Sequence, residues 1–130
     1  MADYPKNLKY TKDHEWARKA GAAVVIGVTF HAQEALGDVV YVELPKLGAT
    51  VTAGKAFGVI ESTKAVSELF APISGKVVKV NDTLTADPQT VNHDPYQAGW
   101  IIEVEPSDAK QYDALLEPGA YEALLKEAAR

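Results

Sequence analysis

Apolar residues along this chain come in short blocks, and most blocks have the length and spacing of strands. Lys9–Trp16 and Ala22–Thr29 read as strands, the second a continuous apolar run of the kind a buried strand carries. Arg18-Lys19 followed by Ala20-Gly21 suits a hairpin turn between them. Thr29 can cap a short helix over Phe30–Leu36, and Gly37 follows as the residue that tolerates positive φ past a helix end. Val39–Leu44 is rich in β-branched residues and predicts a strand that Pro45 ends, with a turn at Gly48. Phe57–Ile60 and Ala65–Phe70 are strands on either side of Ser62-Thr63-Lys64. Pro72 and Gly75 mark the next turn, and Lys76–Val80 is another strand. Leu84–Tyr96, rich in Thr, Asp, Asn and Pro, reads as a long loop before a last strand at Trp100–Val104.

The C-terminal quarter changes period. Ser107 can cap a helix over Asp108–Leu116, Glu117-Pro118-Gly119 interrupts it, and Tyr121, Leu124, Leu125 and Ala128 then share one helical face. An apolar stripe on a surface helix normally faces its own core, so these helices are read as a brace for the β domain. The expectation is a single domain over residues 1–130, mainly β with accessory α, with its β core over 9–104 and its helical segment over 107–130.

A repeat refines that picture. Gly37-Asp38-Val39-Val40-Tyr41-Val42 and Gly75-Lys76-Val77-Val78-Lys79-Val80 both read Gly-x-Val-Val-x-Val. Gly54-Lys55 lies ten residues before Lys64, and Gly75-Lys76 eleven after it. Two similar β halves joined near a lysine predict a quasi-symmetric pair of sheets with Lys64 at a hairpin tip. The bland alternative is coincidence, because Gly and Val are common.

Charge and composition then remove function classes. A net charge of −5 argues against nucleic-acid binding, which needs a surplus of Lys and Arg for phosphates. The absence of cysteine excludes a disulfide scaffold, a thiolate zinc site and a cysteine nucleophile. The longest apolar run, Ala22–Val28, is far short of the roughly 20 residues a membrane helix needs. The start, Met-Ala-Asp-Tyr-Pro, carries no basic or amphipathic leader, so a cytoplasmic protein is expected, or an organellar-matrix one if the chain is a processed form. His14, His31 and His93 lack metal-ligand spacing, and no phosphate loop, dinucleotide fingerprint or Gly-x-Ser-x-Gly appears, which leaves an independent enzyme as the least favoured class.

Glu61-Ser62-Thr63-Lys64-Ala65 is the segment with candidate chemistry. A surface lysine is ordinarily a solvated charge. A hairpin tip, however, holds a lysine at a reproducible and accessible position, which is what a modifying ligase needs. Acylation would remove the charge and leave a long neutral arm. Tethering raises the effective concentration of the attached group at a partner's active site, and the cofactor carries the chemistry.

Several further stretches join that one: His14-Glu15-Trp16; Ile26-Gly27-Val28-Thr29 with His31-Ala32-Gln33; Leu36 through Pro45; Ala71-Pro72-Ile73-Ser74-Gly75; Asn92-His93-Asp94-Pro95-Tyr96; and Gly99-Trp100. In this order and spacing they resemble the glycine cleavage H-protein family over nearly the whole chain. The resemblance implies a flattened β-barrel or sandwich hybrid of the lipoyl/biotinyl type, with lipoate attached covalently to Lys64. It implies that Glu61 and Gly75 take part in recognition by a lipoylating enzyme, although a turn needing positive φ would account for Gly75 by itself. It implies a carrier that is not itself an enzyme, and a shuttle visiting several enzymes is most simply a monomer. Such a carrier takes the aminomethyl group from a pyridoxal-phosphate glycine decarboxylase to an aminomethyltransferase, and its dithiol is reoxidised by a dihydrolipoyl dehydrogenase. Glu15 is the first candidate to pair with the ammonium of the loaded arm, followed by Asp13 and Glu68. The chain departs from some relatives at Ala35, where they carry His, and at Gln97-Ala98, where a Gly is commoner. A lipoyl domain of a 2-oxoacid dehydrogenase acyltransferase would show Asp-Lys-Ala at the tip, and a biotin carrier Met-Lys-Met; neither fits Thr63-Lys64-Ala65. A carrier used in lipoate relay, or a non-lipoylated docking module, stays open at this point.

Overall fold

The protein is described here by a computed structural model covering residues 4–128, and the side chain of Ala128 lies outside the description. Short apolar blocks cannot each build a core, so they pair into two sheets that bury one face against the other. The larger sheet contains β1 (Lys9–Tyr10), β2 (Glu15–Ala20), β3 (Ala23–Val28), β5 (Thr50–Val51), β8 (Gly75–Val80) and β9 (Ile102–Pro106), in the order β1-β2-β3-β9-β8-β5. The smaller contains β4 (Val39–Glu43), β6 (Ala56–Ser62) and β7 (Val66–Phe70), in the order β4-β6-β7. Ile26, Val77 and Val104 from the larger sheet meet Val42, Ile60 and Leu69 from the smaller in one buried cluster. The mainly β sandwich with accessory helices is the fold the sequence predicted.

Helix α1 (Phe30–Leu36) forms where its punctuation placed it. Thr29 Oγ1 accepts from the Ala32 N–H at 3.2 Å, and Gly37 ends the helix at φ 80°. The repeat is also real in three dimensions. β4 is bulged between Val39 and Tyr41, and β8 between Val77 and Lys79, which are matching positions of the two Gly-x-Val-Val-x-Val segments. Val40 and Val78, at the bulges, are 50% and 40% exposed.

Other expectations are corrected. The strand predicted over Lys9–Trp16 is broken at Thr11–His14, where Thr11 Oγ1 accepts from the N–H groups of Asp13 and Glu15 and forms a polar turn without glycine. The hairpin turn between β2 and β3 is Gly21-Ala22, so Arg18 and Lys19 belong to β2. The stretch read as one loop contains two single-turn helices, α2 (Thr83–Ala86) and α3 (Thr90–His93). The last strand runs two residues later than expected. Asp108, and not Ser107, caps α4 (Ala109–Asp113), accepting from the Lys110 N–H at 3.0 Å. Pro118 opens α5 (Pro118–Ala128) instead of breaking a helix, since a first-turn proline forfeits no hydrogen bond.

The brace reading of α5 holds for the described side chains. Tyr121 is buried and stacks on Tyr10, ring centroids 4.8 Å apart, in a second cluster with Leu8, Trp16 and Val25; Leu125 packs on its edge. Among the described residues no helix is long and apolar enough to cross a membrane.

Candidate functional site

Lys64 stands at the tip of the β6–β7 hairpin. The tip is a closed turn: the Ser62 N–H donates to the Ala65 carbonyl at 2.8 Å, and Ser62 Oγ accepts from the N–H groups of Lys64 and Ala65 at 3.3 and 3.1 Å. The Thr63 N–H donates to the Asp38 carbonyl at 3.1 Å, which ties the tip to the segment leaving α1. Lys64 itself is exposed, and among the described residues no ion pair engages it. Its stem passes Gly37, where an added Cβ would lie 3.4 Å from Lys64 Cε. A rigid backbone thus presents an unpaired amine.

Glu61 lies near the tip on the outward face of the small sheet. The register places Tyr41, Glu61 and Val66 in one cross-strand row and Glu43, Val59 and Glu68 in the next on that face. Tyr41 is 47% and Val66 68% exposed, so the lysine is flanked by an acidic face with apolar side chains set into it. Glu68 is on this face, exposed, two residues before the anchored end of β7.

Gly75 is not at the tip. It opens β8 in the other sheet, reached from Lys64 only along the full length of β7. Nor does it adopt positive φ. A Cβ there would clash with the Glu105 carbonyl oxygen and lie 2.6 Å from Val104 Cγ1. The glycine is required by the close approach of β9.

On the other side of Lys64 an open cleft of about 380 Å³ is lined by Asp13, His14, His31, Ala32, Ala35, Leu36, Ala65, Val66 and Ser67. Ala35 thus forms part of its wall. Of the three candidate arm-docking carboxylates, Asp13 lines the cleft and Glu68 does not. Glu15 is only 2% exposed. Its carboxyl accepts from the Thr11 hydroxyl at 2.7 Å and from the Phe70 N–H at 3.2 Å, which anchors the far end of β7. Burial pushes its pKa up to about 8 against those two hydrogen bonds, so at neutral pH it is largely uncharged.

The histidine pair is the feature that sequence reasoning missed. His14 has φ 71°, a left-handed conformation uncommon outside glycine, and its ring sits 4.5 Å from that of His31 on α1. His14 Nδ1 is 2.8 Å from the Tyr121 hydroxyl, which is in turn 2.8 Å from Thr29 Oγ1. Nothing in the local pattern announces this contact, because it joins the turn after β1 to α5. His93 stays apart on α3, and among the described residues no three His, Cys, Asp or Glu side chains could hold a metal ion.

Comparison with known proteins follows the same lines. The family model described as glycine cleavage H-protein matches residues 8–128. A glycine cleavage system H protein of Myxococcus xanthus is 69% identical over 127 residues, covering 97% of this chain and 98% of the relative. One from Escherichia coli O7:K1 is 50% identical over 128 residues, covering 98% and 99%. The crystal structure of a glycine cleavage system H protein from Mycobacterium marinum superposes with a TM-score of 0.87 at 44% identity, covering 95% of this chain and 99% of that one.

Proposed function

Since this chain belongs to the glycine cleavage H-protein family, we propose that it is a lipoyl carrier of glycine cleavage, acylated on Lys64, and that it performs no catalysis of its own. The observation that carries the reading is the unpaired, exposed Lys64 amine on a hydrogen-bonded hairpin tip beside an open cleft. The group fits this surroundings. Ala32, Leu36, Ala65 and Val66 give the cleft apolar walls for an aliphatic arm, and Asp13 gives it one charged edge. Acylation by the lipoylating enzyme would join Lys64 Nζ to the carboxyl carbon of an activated lipoyl donor as an amide. The bond from that carbon to its activating group breaks, that group leaves, and the amine gives up protons and with them the lysine's charge. Once attached, the lipoyl group supplies reversible disulfide–dithiol chemistry, by which it accepts the aminomethyl fragment of glycine.

The chain's own residues position that group. Ser62 and the Thr63–Asp38 hydrogen bond hold the attachment point. Glu61, with Glu43 and Glu68 on the same face, offers the lipoylating enzyme an acidic surface that a basic docking surface would complement. Gly75 supports recognition indirectly, by letting β8 and β9 close. Asp13 is the cleft carboxylate best placed to face the ammonium of a loaded arm. Glu15 stands behind the cleft, holding Phe70 and the turn that carries Asp13. The partners of this reading are the lipoylating enzyme, a pyridoxal-phosphate glycine decarboxylase, an aminomethyltransferase and a dihydrolipoyl dehydrogenase.

The test is glycine-dependent exchange of labelled bicarbonate into the glycine carboxyl, with purified decarboxylase and the lipoylated chain. The proposal expects exchange with lipoylated wild type and only the decarboxylase's own background with Lys64→Arg. A lipoylated chain that supports no exchange above that background would move the reading to lipoate relay.

A further inference from the structure

The three hydroxyl and ring groups at the back of the cleft leave one arrangement of protons. Thr29 is fully buried, and its Oγ1 accepts from the Ala32 N–H, so its own proton needs an acceptor. The Tyr121 oxygen at 2.8 Å is the acceptor available to it. The Tyr121 proton must then go to His14 Nδ1, also 2.8 Å away. Were the chain reversed, with Nδ1–H donating to Tyr121 and Tyr121 to Thr29, the buried Thr29 proton would be stranded. The same loss follows if the imidazole is protonated. His14 is thereby held as the neutral tautomer with its proton on Nε2. Nε2 has no partner among the described residues, and no buried side-chain nitrogen or oxygen there lacks one, so this donor is open to the cleft that His14 lines.

We propose that Thr29 and Tyr121 lock His14 as a neutral Nε2–H donor, and that this donor positions the Lys64-linked arm by binding an acceptor on it, the amide carbonyl or a sulfur. The assignment rests on the carrier reading above. Tyr121 and Thr29 are positioning residues that act through His14. The positive φ at His14 is what turns its ring from the β1–β2 turn towards both Tyr121 and the cleft. Neutrality also matters for cargo: with the His31 ring 4.5 Å away and tilted 40° to it, a histidinium would place cationic charge beside an arm that carries an ammonium. The titratable groups facing His14 are His31 from α1, Asp13 from its own turn and Tyr121 from α5. Burial and His31 hold the His14 pKa below its ordinary value, and Asp13 opposes them.

The experiment is nitrogen-15 NMR of the histidine rings in the full chain at pH 7, before and after lipoylation with lipoate and a lipoylating enzyme, with attachment checked by mass. The expected result is a neutral His14 with its proton on Nε2, whose Nε2–H signal moves on lipoylation while the His93 signals stay. Tyr121→Phe keeps the ring stack on Tyr10 and removes the relay, so the His14 pKa should rise towards the ordinary value. Thr29→Ser keeps the hydroxyl and should titrate like wild type. Octanoylated protein, which has the amide but no sulfur, reproduces the shift if the carbonyl is the acceptor and abolishes it if a sulfur is; both results support the donor role. A lipoylated protein with unmoved His14 signals, or a wild-type His14 that is an imidazolium or carries its proton on Nδ1, overturns the proposal while leaving the carrier reading intact. Failure of lipoate to attach at all sinks both the arm contact and the carrier reading.

Discussion

The segments opening at Gly37 and Gly75 share one pattern and one bulge, yet their glycines serve different physical ends. Gly37 sits at φ 80° and ψ −153°, a region open to little but glycine, with only the flexible Lys64 stem nearby. Gly75 has ordinary backbone, but β9 comes so close that no side chain fits. One glycine shapes the chain beside the candidate attachment lysine, and the other lets the large sheet close. A repeat in sequence therefore records a common strand geometry, while its two glycines answer to different physical constraints.

Substitutions separate the two roles. Gly75→Ala forces a methyl group onto a backbone carbonyl and should cost at least about 3 kcal/mol of stability by chemical denaturation; a loss under about 1 kcal/mol would show that β9 can yield. Gly37→Ala should cost less, about 1–3 kcal/mol from its backbone alone, because Lys64 Cε can move aside. Its larger signature should be slower lipoylation at full folding. Equal stability losses at both glycines would erase the contrast.

Glu15, which anchors the end of β7 remote from Lys64, adds a pH test. Its folded pKa, about 8, lies above the unfolded value of about 4.5, so between these the folded state binds the extra proton. Stability should fall as pH rises through that window, with a slope of up to about 1.4 kcal/mol per pH unit, and Glu15→Gln should flatten it. A wild-type stability curve that climbs from pH 5 to 8 as steeply as that of Glu15→Gln would contradict the buried carboxyl. The smallest expected change is Glu61→Gln, within about 0.5 kcal/mol in stability but with a reduced lipoylation rate by mass-resolved time course. An unchanged rate would remove Glu61 from recognition.

What the sequence disclosed follows from how local each signal is. Thr29 and Gly37 bracket α1 with residues whose capping chemistry needs no tertiary partner, so the helix was legible to the residue. The β6–β7 strands and the polar tip between them were legible as short apolar runs on either side of Ser62-Thr63-Lys64, and the H-protein resemblance pointed to Lys64 there. The turn at Thr11–His14 was hidden because a threonine hydroxyl, and no glycine or proline, organises it. α2 and α3, of four residues each, are too short to show a period. The cleft was not legible at all: His14, His31 and Tyr121 meet only after β1, α1 and α5 have packed. Glu15 was legible as a candidate partner for a charged arm, but its burial and its hydrogen bonds to Thr11 and Phe70 were not.

The most direct test of the central claim is the intact mass of wild type and Lys64→Arg after incubation with lipoate and an active lipoylating enzyme. The account predicts one lipoyl-sized gain in wild type and none in the variant. No gain in wild type, with the enzyme active on a control protein, or an undiminished gain in Lys64→Arg, would contradict it.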